Sequence, residues 1–144
     1  MYYFAYAANL SLRQMSRLCP ESRAEFTATL PNYTLAFTGW SRQWRGGVAT
    51  LRRSTGAKVA GAVYDIPNRD LTSLDRHEGY PTARDRISVK VITESDDFVE
   101  AITYIDITAS KETPPSQEYL SIIRQGYKDW GILAHLSRKQ PQPP

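Results

Sequence analysis

The segment Leu74-Asp75-Arg76-His77-Glu78-Gly79-Tyr80 crowds ionisable side chains into the end of a short helical stretch, just ahead of a Gly-Tyr-Pro turn. A carboxylate partly withdrawn from water at such a place suits general acid–base catalysis. Leu71 and Leu74 mark the inward face, and Glu78, four residues beyond Leu74, falls on it. An inward glutamate is either a reactive group or one half of a structural ion pair with Arg84 or Arg86. His77-Glu78 is not a metalloprotease motif, because no second His follows at helical spacing.

Three other features invite a chemical reading. Tyr6-Ala7-Ala8-Asn9-Leu10 joins a short aromatic strand to a helix. Successive backbone N–H groups at a helix start have no partner within the helix, so this turn is either a cradle for a carboxylate or oxyanion, or an ordinary connection with Asn9 as a cap. Gly39–Gly47 (GWSRQWRGG) interleaves Trp40 and Trp44 with Arg42 and Arg45. Such a loop either covers a core edge or substrate pocket, or stacks on nucleic acid, and its shortness favours the first. Cys19, with His77 or His135 as base, is a weak nucleophile candidate, since the C-terminus of a helix disfavours a thiolate. No Gly-x-Ser-x-Gly elbow is present.

The elements that must position these groups are short. Tyr3–Tyr6 reads as a first buried strand and Leu10–Leu18 as a helix ended by Pro20, with Asn9 or Ser11 as cap. Glu25–Leu30 and Tyr33–Thr38 read as strands reversed at Pro31-Asn32, and Val48–Arg53 and Val59–Ile66 as a pair turned at Ser54–Lys58. A short helix capped by Asn68 or Asp70 stops at Gly79. Strands follow around Ile87–Val91 and over Phe98–Ile107, and Ser116 opens a last helix with Tyr119, Leu120, Ile123, Tyr127 and Trp130 on its apolar face. The pattern is α+β, with a small sheet that curls towards a barrel. A single domain is expected over residues 1–137, followed by a Pro-rich, disordered tail at 138–144.

Composition narrows the class. At 144 residues, with 41% hydrophobic residues, the chain is long enough for one core. One Cys excludes an internal disulfide framework, and no Cys/His spacing suits a structural zinc. No apolar run reaches the ~20 residues of a membrane helix, and Met1-Tyr2-Tyr3-Phe4 lacks a basic signal-peptide start. These features fit a cytoplasmic protein. The net charge of +3 divides into +6 over residues 1–58 and −3 over residues 59–144. The basic half either attracts nucleic acid or a small anionic substrate, or is an ordinary solvated surface.

Together these residues resemble the γ-glutamylcyclotransferase-like (AIG2-like) family. Tyr3-Phe4-Ala5-Tyr6-Ala7-Ala8-Asn9-Leu10 is similar to its signature of an aromatic strand followed by Tyr-Gly-Ser-Asn-Leu. Tyr33–Phe37 with Gly39, Gly46–Thr50, Val59–Tyr64, Leu74-Asp75 with Glu78-Gly79-Tyr80, and Pro114–Ser116 with Tyr119 and Gly126 follow in the family's order. The resemblance spans residues 2–133. It implies a small mixed β-barrel with peripheral helices, and an intramolecular reaction in which the α-amine of a γ-glutamyl group attacks its own γ-carbonyl to give 5-oxoproline and a free amine or amino acid. It implies Glu78 as the catalytic acid/base and Tyr6, Ala7, Ala8, Asn9 and Leu10 as the loop that holds the γ-glutamyl group. Trp40, Arg42, Trp44 and Tyr119 are then candidates to line the leaving-group pocket. No metal or other cofactor is required. The expected partner is a small γ-glutamyl substrate, not nucleic acid or membrane, and an apolar patch on the last helix could pair two copies. The chain departs from the signature at Ala7-Ala8, where the family carries Gly-Ser. Replacing Gly costs ~1 kcal/mol or more if its backbone needs φ > 0. The alternative is therefore a non-catalytic binding module of the same fold.

Overall fold

The computed structural model describes residues 1–108 and 111–133; the tail expected at 138–144, and His135, lie outside them. Five strands close into a barrel: β1 (Tyr2–Ala5), β2 (Arg23–Ser41), β3 (Gly46–Asp65), β4 (Arg84–Thr93) and β5 (Phe98–Asp106), in the order β1-β3-β2-β4-β5. Three helices stand around it: α1 (Leu12–Leu18), α2 (Asn68–Glu78) and α3 (Gln117–Trp130). This is the mixed barrel with peripheral helices that the resemblance implies. Mixing arises at one seam, where β1 runs antiparallel to β3 but parallel to β5, meeting it at Tyr3 opposite Ile102. Side chains reinforce that seam: the fully buried Thr103 donates its hydroxyl to Phe4 O at 2.7 Å, and Tyr6 Oη donates to Tyr104 O at 2.6 Å.

The turn residues at Pro31-Asn32 and Ser54–Lys58 do not reverse the chain. β2 and β3 run through both positions as one long ladder, in which Pro31 pairs with Lys58 and Tyr33 with Arg53. Asn32 (φ 66°) and Gly56 (φ 88°) do adopt the left-handed conformations that such residues favour, and Gly56 N–H donates to Asn32 Oδ1 at 3.0 Å. The conformations are absorbed as a bulge, which bends both strands without ending them.

At the first helix the chain makes a single 3₁₀ turn, Ala8–Leu10, before α1 begins at Leu12. Ser11, not Asn9, is the cap, its Oγ accepting from Gln14 N–H at 3.2 Å. Neither residue proposed for α2 caps it; Pro67 occupies that place, and the buried Asp70 instead accepts from Glu21 N–H at 2.9 Å. Ser116 caps α3 as expected, accepting from Tyr119 N–H at 3.1 Å.

The apolar face of α3 is used within the chain. Tyr119, Leu120, Ile123 and Tyr127 are buried. Gly126 lets the helix lie directly on the 3₁₀ turn: a Cβ there would stand 2.5 Å from Leu10 Cβ and 2.8 Å from Ser11 N. Trp130 Nε1 donates to Leu10 O at 2.9 Å, and Tyr64 Oη donates to Asn9 O at 2.8 Å. Asp129 Oδ2 accepts from Leu12 N–H at 2.9 Å. The last helix thus fixes the loop that follows the first strand.

Candidate active site

Glu78 is the final residue of α2, which ends because Gly79 takes the left-handed conformation (φ 81°). The chain turns back through Gly79–Ala83, with Ala83 N–H and Arg84 N–H both bonded to Gly79 O, and enters β4 at Arg84. This short reversal sets Glu78 and Arg84 face to face, Oε1 to Nη1 at 3.8 Å. The carboxylate is 17% exposed. Its other oxygen accepts from Asn9 Nδ2 at 3.2 Å, and the same amide donates to Tyr3 Oη at 3.0 Å. Released from capping by Ser11, Asn9 is 5% exposed and acts as a clamp between the first strand and the end of α2.

These groups line a cavity of about 460 Å³. Tyr6, Ala7, Ala8 and Asn9 form one wall, Glu78 and Arg84 another, and Trp40 and Tyr119 also border it. Within the 3₁₀ turn, Leu10 N–H donates to Ala7 O at 3.0 Å and Ser11 N–H to Ala8 O at 3.0 Å. The N–H groups of Ala7, Ala8 and Asn9 donate to no acceptor among the described residues. Leu10 is set apart from the other residues of the loop: it is fully buried, its N–H is occupied, and it does not line the cavity. The change from Gly-Ser to Ala7-Ala8 carries no left-handed backbone, since Ala7 has φ −142° and Ala8 is not among the positive-φ residues.

The Gly39–Gly47 segment is the tip of the β2–β3 hairpin, closing where Ser41 pairs with Gly46. Trp44 packs on Tyr119 with ring centroids 5.0 Å apart and lines the cavity, whereas Trp40 stands at its rim, 67% exposed. Arg42 is not part of the lining. Tyr119 Oη accepts from Ala49 N–H at 2.9 Å, and burial pushes its phenol pKa well above the usual value. Burial likewise raises Tyr6 to about 12, against the pull of the Arg84 guanidinium. Both hydroxyls therefore stay protonated at neutral pH. Cys19 is fully buried, and burial pushes its thiol up to about 12, which removes it as a nucleophile. His77 borders the cavity and His135 lies outside the described residues.

Arg84, Asp106, Thr38, Gln14 and Gln43 also line the cavity, and none was singled out as a site residue from the sequence. Thr38 Oγ1 donates to Asp106 Oδ2 at 2.7 Å. Register explains the omission. Ile87, Val89 and Val91 alternate on one face of β4, whereas Arg84 and Arg86 pair with Asp106 and Tyr104 on the other. That second face reads as solvent-exposed in the sequence, yet the site is built on it. On it, Asp75 accepts from both the Tyr104 hydroxyl and Arg86, so the ion pair foreseen for Arg86 forms with Asp75 instead of Glu78.

The fold is thus a closed five-stranded mixed barrel whose first loop and second helix bring Ala7, Ala8, Asn9 and the largely buried Glu78 carboxylate to one cavity. Comparison with known proteins places the chain more closely. The profile of the AIG2-like family matches residues 58–135. Human γ-glutamylcyclotransferase is 33% identical over 142 residues, covering 95% of this chain and 75% of the relative, and the bovine enzyme is 30% identical over the same span. A solved γ-glutamyl cyclotransferase structure superposes with a TM-score of 0.88 at 31% identity, covering 92% of this chain and 80% of that one. The chain belongs to the AIG2-like, γ-glutamylcyclotransferase-like family.

Proposed function

We propose that the protein is a γ-glutamylcyclotransferase that converts a γ-glutamyl amine or γ-glutamyl amino acid to 5-oxoproline and the free amine, with Glu78 as general acid and base. The observation that carries this reading is the Glu78 carboxylate, clamped by Asn9 and lining one cavity with Ala7, Ala8 and Asn9, whose N–H groups have no acceptor among the described residues. Those N–H groups suit the α-carboxylate of the γ-glutamyl group, which orients its α-nitrogen towards Glu78.

The α-nitrogen is an ammonium at neutral pH and cannot attack until a base takes a proton. Glu78 accepts it; the amine then attacks the γ-carbonyl, forming the ring C–N bond and moving the carbonyl π pair onto oxygen. Protonated Glu78 next donates to the departing nitrogen, so the exocyclic C–N bond breaks with a neutral amine leaving. The carboxylate finally takes the second proton from the ring nitrogen and returns it to solvent. Positioned acid–base catalysis of this kind contributes on the order of 10²–10⁴-fold. Because nucleophile and electrophile belong to one substrate, the protein needs to supply neither a nucleophile nor a cofactor. Trp44 and Trp40 offer the leaving group an aromatic surface at the cavity mouth. The buried Cys19 thiol suits a reducing compartment such as the cytoplasm.

The test is release of 5-oxoproline from a panel of γ-glutamyl amino acids and amines by the purified protein. Glu78→Gln keeps the hydrogen-bonding shape and abolishes turnover while leaving circular dichroism unchanged. No product from any member of the panel, or full activity of Glu78→Gln, overturns the assignment.

A further inference from the structure

Arg84 is a buried cation for which the acid–base scheme has no role. It is 9% exposed, sits at the first position of β4 and lines the cavity beside Glu78. A guanidinium has five N–H donors in a fixed plane. Here Nη2 donates to Ala49 O at 2.9 Å, while Nη1 faces Glu78 Oε1 across 3.8 Å, longer than a hydrogen bond. Arg–carboxylate pairs are frequently bidentate, whereas this contact is single and long. Burial works against the charge, but Tyr6, Glu78 and Tyr119 outweigh it, so Arg84 remains cationic.

We infer that Arg84 is a second catalytic residue, binding the γ-carbonyl oxygen of the substrate as it becomes an oxyanion. The inference rests on the γ-glutamylcyclotransferase reading of the same cavity. A substrate amine within hydrogen-bond reach of Glu78, poised ~3–3.5 Å from its own carbonyl carbon, places that carbonyl beside the guanidinium as well. The charge balance is equally direct. In the resting site, Glu78 compensates Arg84. When Glu78 takes the ammonium proton it becomes neutral and leaves a buried cation without a counter-charge, which is costly in a low-dielectric site. Attack then moves the carbonyl π pair onto oxygen and creates a new anion next to the same guanidinium. When the exocyclic C–N bond breaks, that electron pair re-forms the carbonyl, the proton on Glu78 goes to the leaving nitrogen, and Glu78 resumes the compensation. Arg84 so favours the charge distribution of the transition state over that of the bound substrate, the condition for raising kcat.

Steady-state kinetics of Arg84→Met, Arg84→Lys and Arg84→Ala on the best substrate of the panel test this. Arg84→Met, close in volume and without charge, is expected to lower kcat on the order of 10²–10³-fold, the usual loss when one oxyanion donor is removed. KM stays within about threefold, because the interaction is absent from the ground state. Arg84→Lys keeps the charge without the planar fork and falls between the two. Added guanidinium ion at millimolar concentration restores part of the kcat of Arg84→Ala, whereas methylammonium restores less. A folded Arg84→Met with near wild-type kcat, a loss confined to KM, or no guanidinium rescue overturns the inference and leaves the enzyme reading standing. If Arg84→Met fails to fold, the same kcat criterion applies to Arg84→Lys. A wild-type protein inactive on the whole panel removes the parent reading, and this inference with it.

Discussion

Asn9 is the residue on which the geometry of the site makes its sharpest demand. Its Nδ2 holds Glu78 Oε2 at 3.2 Å and Tyr3 Oη at 3.0 Å, and its Oδ1 accepts from Gln14 Nε2 at 3.4 Å. Asn9→Ala removes one hydrogen bond to a charged group, worth about 1.5–3 kcal/mol, and two to neutral groups, worth about 1 kcal/mol each, so a stability loss of roughly 3.5–5 kcal/mol is expected. Glu78 also loses the donor that aims it, and on the proposed mechanism its displacement by about 1 Å costs up to ~10²-fold in rate. Asn9→Asp is the more telling variant, since it keeps size and shape but exchanges the donor for a carboxylate. Two unit charges at the 3.2 Å separation seen here repel by about 5 kcal/mol at an effective dielectric near 20. Asn9→Asp should therefore be at least as damaging as Asn9→Ala, both in urea unfolding and in 5-oxoproline release at pH 7. An Asn9→Asp protein with wild-type stability and turnover would show that the clamp does not hold Glu78.

Three further outcomes follow from the packing. Thr103→Val deletes the buried hydroxyl that bonds Phe4 O at the β1–β5 seam, so denaturant unfolding should register a loss of about 0.5–1.5 kcal/mol. Gly126→Ala gains ~1 kcal/mol of helix propensity but forces a Cβ to within 2.5 Å of Leu10, a clash whose typical cost of about 1–3 kcal/mol exceeds the gain; reduced stability together with reduced turnover is expected, and a stabilised, fully active variant would contradict the contact. A thiol pKa raised to about 12 keeps Cys19 protonated through pH 7–9, so a thiol reagent should leave the native protein unmodified and label it only on unfolding.

The placement of Glu78 and the bounds of the helices beside it were legible in the sequence. The Leu71–Leu74–Glu78 spacing put the carboxylate on the inner face of α2, Gly79 marked where the helix must stop, and Ser116 marked where the last one begins. Local rules failed where two elements compete for one residue. Asn9 is as good a cap as Ser11 by composition, and only the position of Glu78 in three dimensions draws its amide away. Likewise Asn32 and Gly56 have turn conformations without making turns, because the β2–β3 ladder resumes on both sides of the bulge. Arg84 was visible only as a possible counter-ion, for strand alternation cannot reveal that Tyr6 and Tyr119 lie beside it at the start of β4.

The parallel seam between β1 and β5 also governs the order in which the molecule can be made. β1 leaves the ribosome first, but it finds β3 only once Ala62–Asp65 have been synthesised, and β5 only after Ile102. The helix that braces the Ala8–Leu10 turn comes later still, with Gly126 and Trp130. A nascent chain thus carries Asn9 and Glu78 well before anything can hold them at bonding distance. On the proposed mechanism turnover begins only when the barrel is shut and α3 docked, so release of 5-oxoproline during translation would time the docking of α3 rather than the appearance of Glu78.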